Sequence, residues 1–547
     1  MKKTNAIIFL GLALALSANS FAQDFDDFGS FGDFEDESAS SSKLELNGSA
    51  SVEVRAYVDA DKTEDVEVKA TPSGKLSLKY DGNKSDMNIT LSIDAEKVKS
   101  HPEDIVDELV LRGYFGNLML ETGKLKVVWG KGDKLHVFDN FNADDYSDFI
   151  ITDYIDRRIS TPMIRGTYSF PAANINLEAI YTPLLPTDHF ATEGRWEPAQ
   201  LSSLTDGATK IVSMNLLGLE AKAAAANAEA AAETNASAKA TKQQAAIAAD
   251  KAYLEYLTYA NELSSNPDSI FPDLMNLKYS QYGARILGTV GILDFGASYY
   301  YGWYKQPSVN YSSYIESIDG MKATIASNPT TLGATYAGLI SQGKSQSEAL
   351  QSLAVANAWQ FSLPTLDYDR KQTFAVEGAT VVWHFNLRGE FAYNLTDDFD
   401  GTDPWVHNNS IAWLGGFDID LPFWNANLNV QETGTLILHG DECDTNQNQY
   451  AEYNANDVDY SKNGYTNNKI VCNFTTSFLN DRLTPEITAL YGIENGDLVI
   501  LPSLTYKPDQ NLTLMAKGMY IWCRDEYSEF SAWEKNSFVS LSAQYQF

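Results

Sequence analysis

The chain of 547 residues has no run of roughly 18 apolar residues after its first segment, which excludes a helical membrane protein. Cysteine is nearly absent. Cys443, Cys472 and Cys523 are too few for a disulfide framework, although their spacing allows one Cys443–Cys472 bond. Histidine is scarce, and the six residues (101, 136, 189, 384, 407, 439) do not cluster in sequence. The motifs His-Glu-x-x-His, Gly-x-Ser-x-Gly and Cys-x-x-Cys are missing, so nothing points to an enzyme, and no cofactor or metal is implied. Basic side chains are also short, 40 against 73 acidic ones, for a formal charge of −33. Such a chain repels phosphate backbones, which argues against a nucleic-acid partner, and suits divalent cations or well-solvated surface loops.

What is present begins with an export signal at 1–22. Lys2 and Lys3 precede an apolar core from Ala6 to Leu16, and Ser20-Phe-Ala22 offers small residues for cleavage. Residues 23–43 are acidic and Gly/Ser-rich with interspersed Phe, the composition of a disordered periplasmic lead-in.

From Leu44 to Val58 every even position is apolar or small, while the odd positions read Glu45, Asn47, Ser49, Ser51, Glu53, Arg55 and Tyr57. A helix would space these at three to four residues, so the pattern is a strand whose two faces meet different solvents. Similar alternation recurs to the carboxyl terminus, where Val539, Leu541, Ala543, Tyr545 and Phe547 alternate with Ser540, Ser542, Gln544 and Gln546. About 18 strands (16–18) result. Links after even-numbered strands are short, such as Gly116-Asn117 and Gly291-Ile292, whereas links after odd ones are mostly long. Within a bilayer, strands satisfy their backbone only as a closed ring. The expected fold is therefore all-β, a transmembrane antiparallel up-and-down β-barrel over 44–547, with short periplasmic turns and long external loops. Tyr299, Tyr301 and Trp303 fit an outward interfacial girdle.

Two long links carry helical composition. The first, about 184–275, contains an Ala-rich stretch from about Leu216 to Leu263, bent near Thr234-Asn-Ala-Ser237. It reads as an antiparallel hairpin on the external mouth; the rival is a coiled-coil contact to another copy, making a homo-oligomer. The second, about 306–370, reads as two or three short helices. Ser345-Gln-Ser-Glu348 there is a capping box. Its apolar residues pack on the first insertion or, alternatively, form a capture site for greasy solutes.

With apolar positions facing lipid, Arg55, Arg112, Arg165, Arg285 and Arg388 point into the lumen with Glu53, Glu178, Glu377 and Glu390. Charges on the lipid face would cost about 2–4 kcal/mol near the midplane. Such a lining orients solutes in a transverse field or ties neighbouring strands together. Asp397-Asp-Phe-Asp-Gly-Thr-Asp403 departs from EF-hand spacing and reads as a solvated acidic turn.

The terminal strand ending on Phe547 resembles the closing strand of Gram-negative outer-membrane proteins. That resemblance makes Phe547 a signal to the barrel-assembly machinery and outer-membrane lipid the surrounding medium. Gly123-Lys124, followed by Trp129-Gly130 and the Asn/Asp-rich stretch 139–148, is similar to a family of uncharacterised outer-membrane barrels. These share a G-[KR]-x-x-x-x-W-G strand, although Ala143 stands where that family's loop usually has proline. In position the segment also resembles the loop of general porins that folds inward after the fifth strand. The resemblance implies that Asp133, Asp139, Asp144, Asp145 and Asp148 face a constriction; a solvated external turn is the alternative. Together these features predict a porin-like channel for passive diffusion of small solutes. A channel for hydrophobic substrates and a surface structural or adhesive barrel are the competing readings.

Overall fold

Period-two segments pair into one continuous antiparallel sheet. The structure, a computed structural model, describes residues 43–547 except 59–65, 134, 152, 267–270, 446–464 and 527. The expected signal and nearly all of the acidic lead-in lie outside the described residues, as does the Cys443 side chain; Cys472 and Cys523 are free thiols.

The barrel strands are β1 (Lys43–Tyr57), β2 (Val68–Asp81), β3 (Ser85–Asp94), β4 (Val106–Phe115), β5 (Leu118–Leu125) and β6 (Thr161–Phe170). They continue as β7 (Ile175–Thr182), β8 (Gln281–Val290), β9 (Leu293–Trp303), β10 (Arg370–Val382), β11 (Phe385–Leu395) and β12 (Ser410–Asp420). The last six are β13 (Asn427–Ile437), β14 (Thr466–Thr475), β15 (Leu483–Gly492), β16 (Asp497–Tyr506), β17 (Leu512–Cys523) and β18 (Phe538–Gln546). Each pairs with its neighbours in sequence, and β18 pairs back onto β1 (Val52↔Ala543, Arg55↔Ser540), closing an 18-stranded ring without an edge. Phe547 completes the seam: its amide and carbonyl exchange 2.9 Å bonds with Gly48, and its ring covers the space a Gly48 Cβ would need.

The alternation has its expected cause. Val52, Val54, Val539 and Leu541 are exposed on the outer face, whereas Arg55, Tyr57, Phe538 and Ser540 between them are buried. Links at one end are brief (116–117, 171–174, 291–292, 383–384). At the other end they are long (126–160, 183–280, 304–369), apart from 493–496. Gly116 and Gly291 open their two-residue turns at φ +64° and +62°, the first position of a type II′ turn, whose twist matches the strands. No described helix is long and apolar enough to cross a membrane. One girdle expectation is corrected: Trp303 is 6 % exposed, roofed by Tyr279 and Tyr368 with Phe271 and Leu274 beside them.

The long links hold the helices α1 (Ala199–Ala232), α2 (Ala236–Ser265), α3 (Ser312–Ser327), α4 (Ala334–Ser341) and α5 (Gln346–Ala356). Helix α1 starts well before Leu216. The Ser, Thr and Gly residues of its first turns are weak helix formers, and burial of Ile211 against Leu353, Phe361 and Met321 offsets them. Asn235 caps α2 by accepting from Ser237 and Ala238 amides. Ser345 and Glu348 form the reciprocal capping box of α5. Asn215 fastens the two insertions together: its amide donates to Phe361 O (2.8 Å), and its oxygen accepts from Phe361 N (2.9 Å). The apolar residues of the second insertion thus pack on α1.

Candidate functional site

The strand register puts Arg55, Arg112, Arg165, Arg285, Arg388, Glu53, Glu178, Glu377 and Glu390 on one face of the sheet, and four of them, Arg112, Arg165, Glu178 and Arg285, belong to a ladder of ion pairs. Arg112 donates to Glu121 (2.6 Å) and to Asp86 (3.3 Å). Arg165 donates to Glu121 (3.0 Å) and Glu178 (2.9 Å), and Arg285 pairs with Glu178 at 3.2 Å. Six consecutive strands, β3 to β8, thus contribute Asp86, Arg112, Glu121, Arg165, Glu178 and Arg285 in alternating sign. Further round, Arg388 pairs with Asp418 and Asp133. Arg55 takes Asp148 in two bonds (2.6 and 2.8 Å) and also holds Glu53. Glu377 lies against Gly296, with one carboxylate oxygen buried and without a hydrogen bond.

Glu121 is an inner-face residue that the alternation alone does not single out, because β5 is less regular than its neighbours. Its signal is the hairpin: a two-residue turn at 116–117 fixes Arg112 opposite Glu121.

The link between β5 and β6, residues 126–160, turns into the barrel. Trp129, Phe138 and Phe141 are at most 1 % exposed, packed among Val110, Met163, Ile180, Tyr300, Ala375, Ala392 and Ala412 of the inner wall. Trp129 Nε1 donates to Glu178 (2.6 Å), and the Arg285 guanidinium lies 5.3 Å from its ring centre. Gly283 makes this fit: a Cβ there would stand 2.4 Å from Phe141 and 2.7 Å from Trp129. Glu390 anchors the turn that follows, accepting from the amides of Lys131 and Gly132 (2.7 Å each) and Val137 (3.0 Å). Gly130, at φ +124°, is required because a side chain would strike Glu390 and His136. Asn142 closes the base of the link, accepting from Val127 N (2.8 Å) and donating to Leu125 O (2.8 Å) and Ile159 O (2.9 Å). The far part crosses to the opposite wall, where Phe149 and Ile151 pack with Tyr57, Val499, Met519, Ile521 and Phe538.

This geometry corrects the expectation that five aspartates face an opening. Asp139 and Asp144 turn into the link's own core, where Arg158 pairs with both (2.8 and 3.3 Å). Burial there pushes the Asp139 carboxyl above its ordinary value, against the pull of Arg158. Asp145 accepts from Ser147 N (2.9 Å). Asp133 and Asp148 remain partly exposed but are bound by Arg388 and Arg55. Besides Asp133, the exposed acids of the link are Asp153 and Asp156, just beyond the segment 129–150, and Asp156 meets Lys75 of β2 at 3.2 Å. Residues 189–190 pair in parallel with Asp145 and Tyr146, so the next long link lies over this one.

Helix α1 and the 311–364 segment flank a half-open pocket of about 620 Å³ lined by Leu204, Ile211, Met214, Leu217, Tyr314 and Val355. In the acidic turn, Asp398 is occupied by the amides of Thr402 and Asp403 (3.2 and 3.0 Å).

No protein-family model and no curated protein matches the sequence. Among solved structures, the chain is similar to OpdL of Pseudomonas aeruginosa (10 % identity, 92 % of this chain and 98 % of that one, TM-score 0.39). It is also similar to OmpF of Salmonella typhi, solved with daunomycin (8 %, 92 % and 98 %, TM-score 0.34), and to a mutant of the Rh. blastica porin (7 %, 92 % and 100 %, TM-score 0.33). The protein is a closed 18-stranded antiparallel β-barrel, defined by its own ring of strand pairings.

Proposed function

We propose that the chain is an outer-membrane, porin-like channel through which small polar solutes diffuse, with the link 126–160 as its constriction. The observation that carries this reading is the sorting of side chains across one sheet: apolar residues exposed outside, and Ser, Thr, Gln, Arg and Glu inside a ring wide enough for an aqueous lumen. The ladder on β3–β8 is neutralised by its own pairing and partly covered by the link. The remaining wall, β14–β18 with β1 and β2, presents Ser49, Ser51, Ser73, Ser503, Lys517 and Ser542, and solutes pass along it beside the contacts that Asp148 and Asp156 of the link make with Arg55 and Lys75. Phe547 serves as the assembly signal, and passage needs neither cofactor nor energy source.

Reconstitution in planar bilayers tests this. The native chain is expected to give stable open channels. Glu390→Ala leaves three amides unpaired, each costing about 1–3 kcal/mol, so the link loosens and single-channel conductance and its noise rise. Absence of stable channels from the native chain would sink the reading. The apolar cavity beside α1 favours a second one, a channel fed with hydrophobic solutes, which predicts vesicle uptake of such solutes without ion conductance.

A further inference from the structure

Two histidines 88 positions apart meet at the long-link end of the barrel. His101 lies in the link between β3 and β4, and His189 in the link that overlies the inward loop. Their imidazole rings stack with centroids 3.7 Å apart and planes 13° from parallel. Each ring has a carboxylate beside its Nδ1: Glu103 at 3.4 Å from His101, and Asp104 at 3.6 Å from His189. One ligand atom from each of the four lies within 4.8 Å of all the others, the only such grouping among the described residues.

We propose that His101, Glu103, Asp104 and His189 form a binding site for a zinc-class divalent transition metal. Tetrahedral bonds of about 2.0–2.2 Å place neighbouring donors about 3.3–3.6 Å apart, the range of the two His–carboxylate separations. With no pair more than 4.8 Å apart, the donors close by at most roughly 1.5 Å. Glu103, whose side chain is 64 % exposed, has solvent-side room to move towards the other three. Asp104 has one oxygen held by Lys124 at 2.9 Å, which orients the carboxylate and leaves the other oxygen for the metal. Two imidazoles with two carboxylates suit Zn²⁺, Cu²⁺ or Ni²⁺, whereas Ca²⁺ and Mg²⁺ require all-oxygen cages. The two segments are already docked by Lys99 on Glu193, so binding does not have to assemble them. A bound ion ties the β3–β4 link to the strand at 189–190 and, through its pairing with 145–146, to the inward loop. The site stands whether or not the lumen conducts.

The test uses the tag-free full-length chain refolded in detergent, with Zn²⁺ alone and Ca²⁺ alone titrated in parallel by calorimetry. One equivalent of Zn²⁺ is expected to bind while Ca²⁺ gives no saturable heat. His101→Ala, His189→Ala and Glu103→Gln should each weaken Zn²⁺ by about tenfold or more. Heat-modifiable mobility on gels verifies that each variant barrel is closed, and exposed Glu103 provides the variant that leaves packing untouched. Zn²⁺ should also raise the thermal midpoint of the native chain but not of the histidine variants. No saturable Zn²⁺ binding by the native chain, or closed-barrel variants that bind Zn²⁺ as tightly as it does, would overturn the proposal.

Discussion

At the scale of single residues, function is set by carboxylates whose neighbours decide their charge. Glu390 accepts from three backbone amides of the inward loop. Asp188 lies in the link above that loop, accepting from Asp144 N (2.9 Å) and Gln306 (3.1 Å). Burial, with a smaller push from the Asp144 charge, raises its carboxyl from 3.8 to about 6, while Lys305 and the hydrogen bonds pull the other way. A carboxyl whose pKa is raised by folding binds its proton more tightly in the native chain than in the unfolded one. Its contribution therefore makes the barrel more stable as pH falls from about 6 towards 3.8, and that gain is absent above about 6. Asp188→Asn keeps the acceptor for Asp144 N and removes the titration. Thermal midpoints in detergent should thus differ between native and variant chains at pH 7 and converge near pH 4. A constant difference across that range would show that Asp188 does not titrate there.

At the scale of elements, the insertions divide into a part that holds the molecule together and a part that stands free of it. Up to Gly218, α1 is fixed to the second insertion by Ile211, Asn215 and the close approach of Gly218 to Ala358. Beyond it, α1 and α2 pack on each other through Ala223, Ala230, Ala246 and Ala249, with Asn227 donating to Asp250 at 2.8 Å. Replacing residues 222–254 by a short Gly/Ser turn is therefore expected to lower helical circular dichroism while leaving heat-modifiable mobility and conductance unchanged. Asn215→Ala orphans a buried amide and carbonyl of Phe361 and should destabilise the insertion by about 1–3 kcal/mol. Loss of conductance in the truncated chain would make the distal hairpin part of the permeation path. The alanine composition made the hairpin legible in sequence. Its first turns were not, because tertiary packing of Ile211 and Met214 overrides weak local propensity there.

At the scale of the whole molecule, the strands were legible because two solvents write a period of two into the chain, and the hairpin turns then fix each register. The inward link was legible as a distinctive segment but not in its geometry. Asp139 is buried by Arg158 from the far side of the same link and Asp156 meets Lys75 from β2, pairings across the fold that sequence spacing does not show. The His101–His189 pair was invisible for the same reason. Closure also decides selectivity. The ladder charges cancel in pairs, so the field on a permeating ion comes from the acidic links at the mouth and from the few unpaired charges along the open wall. Exposed Asp153, Asp397, Asp400 and Asp403 lie in the long links at that end, so the mouth field draws cations, and it acts over a Debye length of about 10 Å at 0.1 M salt. Potassium should therefore be preferred over chloride in dilute salt, with the preference shrinking towards 1 M. Lys517 faces inward on β17 opposite Ser503 and Ser540, in no ion pair among the described residues. Lys517→Glu should accordingly strengthen the potassium preference, read from reversal potentials across a salt gradient, without lowering heat resistance. An unchanged reversal potential in a closed Lys517→Glu barrel would move the permeation path away from the β14–β3 wall.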